Sequence, residues 1–163
     1  MLAVITASNL AKYIVHKANN MDVPITHLKL QKILYYVAGA FAGALNERAF
    51  WDSIEAWEYG PVVRNVYIEY CSWGALPLVY KEEEVVLDYD DEQKALVDFV
   101  INQKIRMSGR ELVNATRSEA PWKKYMNCIT TKPEISYQDL RNYFVNSNEV
   151  KQWNLRASHR ANS

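Results

Sequence analysis

Glu55 and Glu58 stand three residues apart on either side of Trp57, the pair in this sequence closest to an acid–base arrangement. An enzyme built there would pair Glu55 with a proton donor such as Tyr36 or Lys32. The local pattern argues against a paired site. Ile54, Ala56 and Glu58 alternate with Glu55, Trp57 and Tyr59, the period of a strand, which sends the two carboxylates to opposite faces. Glu55 beside Trp57 then reads as a hydrogen-bonded structural carboxylate. His16, His27 and His159 form no i, i+3 or i, i+4 pair, and neither Cys71 nor Cys128 has a partner at metal-ligand spacing. No Gly-rich loop follows a strand to cradle phosphates, and there is no G-x-S-x-G elbow. No metal and no other cofactor is expected. Cys71, between Tyr70 and Ser72 on a helical stretch, reads as a buried structural thiol. His27 falls at a helix N-terminus, where the dipole disfavours an imidazolium, and reads as a surface residue.

Charge is balanced overall, nineteen basic residues against nineteen acidic, but unevenly placed. Glu82, Glu83, Glu84, Asp88, Asp90, Asp91 and Glu92 put seven acids into eleven residues with no base among them. The stretch reads either as a solvated loop leading into a helix or as a docking surface for a basic partner. A zero net charge and the lack of a dense Lys/Arg stripe on any helix argue against nucleic acid as a partner. From residue 151 to 163 the charges are basic only, Lys151, Arg156 and Arg160. With Trp153 this reads as a fraying basic tail following a domain of residues 1–150. No run of about 18 apolar residues offers a membrane span. Met1 to Ile5 lacks the basic flank of a signal peptide, so a cytoplasmic protein is expected.

The elements that must position these side chains are mostly helical. Ser8 is a fair N-cap for a first helix carrying Leu10, Ala11, Ile14, Val15 and Ala18. Thr26 caps a longer second helix, with Leu30, Ile33, Leu34, Val37, Ala38, Phe41 and Leu45 on one stripe and Lys29, Lys32 and Tyr36 on its flank. Gly39 and Gly43 there permit close approach of another backbone. A short strand over 50–59 stops at Gly60-Pro61, and Pro61 suits the first turn of a third helix bearing Val63, Val66, Tyr67, Tyr70 and Trp73. Val85-Val86-Leu87 can add a second short strand. Asp90 or Asp91 caps a fourth helix, Ser108 and Glu111 form a capping box, Pro121 opens a short turn with Trp122, and Ser136 caps a last helix. The 163 residues, 49% hydrophobic and 23% charged, fit one compact, mainly α bundle of six to seven helices with a small β element.

Three segments in this order carry a resemblance: L-K-L-Q-K-I-L-Y-Y from Leu28 to Tyr36, I-E-A-W-E-Y-G-P-V-V from Ile54 to Val63 with Tyr67 following, and E-A-P-W from Glu119 to Trp122. Over about 26–144 the chain resembles the Panacea, or SocA-like antitoxin, domain family, which includes phage-associated proteins. The resemblance implies a small, mostly helical domain without catalytic activity that acts by binding a protein toxin. An adaptor role, handing the toxin to an ATP-dependent protease, is a second implication. Two positions depart from the family pattern: Val37-Ala38-Gly39 where Ala-Gln-Gly is expected, and Arg117 where the family often has His.

The residues agree with a binding role in kind. Five Trp, eleven Tyr and four Phe are far more aromatic surface than the missing catalytic spacings would use. Lys32, Tyr36, Glu55, Trp57, Tyr67 and Trp122 are the expected polar-aromatic cluster joining the second helix, the strand and the Pro121 turn, with Glu82, Glu83 and Glu84 as a separate acidic contact. The leading reading is an antitoxin that neutralises its toxin by direct contact. The alternatives are the protease adaptor and a phage-associated small enzyme using Glu55 with Tyr36 or Lys32.

Overall fold

The computed structural model describes residues 5–81 and 85–161. Its elements in chain order are α1 (Ala7–Asn20), α2 (His27–Ala40), β1 (Ile54–Trp57), β2 (Gly60–Val63), α3 (Arg64–Tyr70), α4 (Asp91–Lys104), α5 (Gly109–Arg117), α6 (Ala120–Lys123), β3 (Glu134–Ile135), α7 (Tyr137–Phe144) and α8 (Asn148–Ala161). The architecture is mainly helical with one small antiparallel sheet in the order β2-β1-β3. Most start signals act where their chemistry predicts. Thr26, Asp90, Ser108 and Ser136 each accept a backbone N–H of the first turn, and Asp90–Gln93 and Ser108–Glu111 close reciprocal capping boxes. The first helix is capped by Thr6 instead of Ser8.

Helix α2 is the axis of the molecule. Twelve of its first thirteen residues after Thr26, all but Leu28, are buried, so it is wrapped on every side by α1, α4, α5, α7 and the β1–β2 hairpin. It runs on into a wider turn over Phe41–Leu45 and ends where Asn46 takes a left-handed conformation. At Gly43 a Cβ would come within 2.6 Å of the Phe144 main chain, so the absence of a side chain is what lets the end of α7 cross there.

Four expectations change. Pro61 does not open a helix. It lies in β2, an edge strand, opposite Ala56, whose N–H points the other way to Pro133 O (2.8 Å), so the pair needs no donor from the proline. Gly60, at φ +108°, starts that strand after a Glu58–Tyr59 turn, and α3 begins only at Arg64. Residues 85–87 form no strand. Leu87 and Tyr89 are buried singly, Tyr89 through a hydroxyl bond to Ala49 O. Residues 148–161 do not fray: α8 buries Val150 and Trp153, whose ring meets Phe99 edge-on at 5.4 Å. Cys71 is exposed, as is Cys128. Among the described residues no helix is long and apolar enough to cross a membrane.

Candidate binding cleft

Beside the first turns of α2 lies a cleft of about 480 Å³, walled by His27, Leu28, Gln31 and Lys32 on one side, by Trp57, Tyr59 and Val62 of the hairpin and Tyr67 of α3 on another, and closed by Ile129, Thr130 and Lys132. Its rim is apolar and open: Leu28 is 40%, Tyr59 62% and Tyr67 38% exposed. Trp57 and Tyr67 hold each other at a ring separation of 4.8 Å, and Lys132, in a left-handed conformation, sets its ammonium 4.2 Å from the Trp57 ring. An apolar concavity with a few fixed polar groups is the usual form of a binding site.

Hydrogen bonds to the hairpin and the second strand build the floor. Val63 N–H donates to Gln31 Oε1 at 2.7 Å, which orients the amide so that Nε2 donates to His27 Nε2 at 3.0 Å. That bond needs an accepting, neutral imidazole. Burial and then the nearby Lys32 charge both hold the His27 pKa below its ordinary value, in keeping with it. His27 is therefore a buried part of the floor, not the surface residue expected of a helix N-terminus. Lys32 is wholly buried and donates to Pro61 O at 2.9 Å. Burial alone lowers its ammonium to about 7, because no carboxylate among the described residues pairs with it. Gly60 leaves the room this lysine needs: a Cβ there would stand 2.8 Å from Thr116 Oγ1 and 3.1 Å from Lys32 Cε.

The expected cluster divides into three parts. Lys32, Trp57 and Tyr67 line the cleft together. Glu55 is the structural carboxylate its spacing suggests, accepting from the Trp57 indole (2.9 Å) and from Arg64 Nε and Nη2 (3.0 and 2.8 Å). The Arg64 bonds, ahead of the indole bond and against some desolvation, hold its pKa low. Trp122 is buried behind the hairpin, its indole donating to Trp57 O at 2.8 Å and its ring under Arg117 at 4.8 Å. Tyr36 leaves the cleft altogether. With Tyr35 it donates to the two oxygens of Glu119, at 2.7 and 2.9 Å, in a buried centre that also holds Lys104 over the Tyr36 ring at 4.1 Å. Burial, outweighing the two phenol bonds, raises the Glu119 carboxyl to about 7. Glu82, Glu83 and Glu84 lie outside the described residues. Gln31, Glu119, Tyr59 and Lys132 are the residues of these two centres that spacing did not single out. Gln31, Tyr59 and Glu119 had a signal in their places within the three motif segments, and Lys132 had none.

The stretch that supplies the hairpin, Trp122 and the floor residues Gln31 and Lys32, though not His27, is also the stretch that matches a known family: the family model described as "Antitoxin SocA-like, Panacea domain" covers residues 30–123, more than half of the chain. The chain belongs to this family. Antitoxin SocA of Caulobacter vibrioides (strain NA1000 / CB15N) is 36% identical over 63 residues, 39% of this chain and 34% of that protein. The chain thus aligns with about a third of the length of that curated relative. No solved structure matches with significance. In this Panacea domain the cleft and the Glu119 centre both draw on residues inside the matched stretch, while His27, Leu28, Ile129, Thr130 and Lys132 of the cleft fall outside it.

Proposed function

We propose that this Panacea domain is an antitoxin that neutralises a protein toxin by direct, stoichiometric contact, with the cleft as the contact surface. One observation carries the reading: within the family-matched stretch, Trp57 and Tyr67, packed on each other at 4.8 Å with the Trp57 indole bonded to Glu55, stand with the exposed Tyr59 around an open apolar cleft. Rigid, partly exposed aromatic residues around a concavity are the anchors that dominate protein–protein affinity. The acidic stretch at Glu82, Glu83 and Glu84 serves as a second, charged contact that steers association.

The test uses the protein encoded beside this chain as the toxin. Its lethality on expression, and rescue by co-expression of this chain, are the expected results, with rescue saturating near one antitoxin per toxin and a stable complex on size-exclusion chromatography. Rescue at far below one copy per toxin would refute stoichiometric neutralisation. Repeating it in a protease-deficient host would then separate delivery to a protease, lost in that host, from enzymatic modification, which persists.

A further inference from the structure

Resting on the antitoxin reading, we infer that the toxin segment entering the cleft is apolar and carries an acidic side chain, aspartate or glutamate, which lies between Lys132 at the rim and Lys32 beneath the floor. The argument is charge complementarity. Among the described residues the cleft wall contains Lys32 and Lys132 against a single acid, Glu58, which is exposed. Arg64, the first residue of α3, is already spent on Glu55, a carboxylate outside the cleft lining whose charge also acts on Lys132. Lys32 spends one donor on Pro61 O and meets no carboxylate among the described residues. An ammonium in this position is costly to the isolated fold, and a counter-charge arriving in the cleft relieves that cost without touching it, since low-dielectric walls carry the field. The rim decides what the acid is attached to. Leu28, Tyr59 and Tyr67 expose apolar surface around the opening, which fits apolar residues on both sides of the acidic one. A chain terminus would cover the rim on one side only.

The experiment titrates the full chain with defined peptides and follows the Trp57 indole N–H by NMR. The probes are Ac-Leu-Glu-Leu-NH2, Ac-Leu-Gln-Leu-NH2 and Ac-Leu-Leu-OH. The glutamate peptide is expected to bind about tenfold more tightly than the glutamine peptide, a preference of the size that close charge complementarity supplies. Lys32→Met with Lys132→Met should cut that preference to about twofold or less, and Glu58→Gln should increase it. Lys132 is exposed, so Lys132→Met alone, expected to lower the preference about threefold, keeps the test decisive if the Lys32 variant does not fold. Equal binding of the glutamate and glutamine peptides, tighter binding of Ac-Leu-Leu-OH, or no binding by any probe at millimolar concentration overturns the inference. None of these outcomes touches the antitoxin reading, which stands or falls on rescue of toxicity.

Discussion

One turn of α2 separates two buried ionisable centres that are finished in different ways. At Tyr36 the chain seals Glu119 between two phenol donors, with Lys104 and Glu149 paired at 2.8 Å close by. At Lys32 the ammonium has one carbonyl acceptor, no acid among the described residues, and a cleft alongside. Both groups are moved to about 7 by burial, from opposite directions. A shifted pKa therefore does not distinguish them. What does is the use of donors and acceptors: a centre whose polar atoms are consumed within the fold is structural, and one left short beside an open cavity is available to a partner.

The largest expected effect closes the cleft floor from below. Gly60→Val should destabilise the fold by about 3 kcal/mol or more, since a side chain at φ +108° is strained and its Cβ meets Thr116 and Lys32. Thermal melting measures it, and an unchanged midpoint would mean that the hairpin can shift off Lys32. Next comes the sealed centre. Tyr36→Phe leaves a Glu119 oxygen without its hydroxyl donor and should cost on the order of 1–3 kcal/mol. Lys32→Met removes a charge that lacks a counter-ion and should change stability at pH 6 by less than about 1 kcal/mol, or raise it. Equal losses in the two variants would erase the contrast.

The pH dependence sharpens it. Glu119 titrates near 7 in the fold and near its ordinary value of 4.5 when unfolded, so its stabilising contribution is complete below 4.5 and falls as pH rises to 7. Lys32 titrates near 7 in the fold against 10.5 unfolded, so its penalty is present below 7 and disappears as pH rises toward 10.5. Wild type minus Glu119→Gln should therefore lose about 3 kcal/mol of stability between pH 4.5 and 7, and wild type minus Lys32→Met should gain about 5 kcal/mol between pH 7 and 10.5, in chemical denaturation. Opposite slopes test the assignment, and parallel ones would break it. The smallest effect on the fold belongs to the acidic stretch. Converting Glu82, Glu83 and Glu84 to Gln should slow association with the toxin and flatten its salt dependence while leaving the unfolding free energy within about 0.5 kcal/mol of wild type.

Much of the frame was legible because it is written in local chemistry. The caps at Thr26, Asp90, Ser108 and Ser136 and the apolar stripe of α2 rest on contacts a few residues apart. The Glu55–Trp57 bond was legible for the same reason. The two centres were not. Since α2 is buried on nearly all sides, its period marks a core face but cannot show that Lys32, Gln31 and Tyr36 are also inside. Their partners, Pro61, Val63 and Glu119, come from 29 to 83 residues away. His27 and Cys71 were misplaced by the same limit. The α3 side chains Tyr67 and Tyr70 cover the imidazole, at ring separations of 5.3 and 6.2 Å, while the thiol at the end of that short helix faces out. Pro61 was misread because an edge strand and a helix start tolerate proline equally, and only the pairing with Ala56 decides between them.

The central claim is that the cleft binds the toxin and the Glu119 centre only builds the domain. A rescue titration of Tyr67→Ala against Tyr36→Phe, with doses normalised to folded protein, tests it most directly. The account predicts that Tyr67→Ala, which loses about 1–2 kcal/mol of stability with its packing on Trp57 and His27, still needs about tenfold more folded protein for rescue, whereas Tyr36→Phe rescues one for one once folded. Wild-type rescue by Tyr67→Ala together with failure of folded Tyr36→Phe would contradict it.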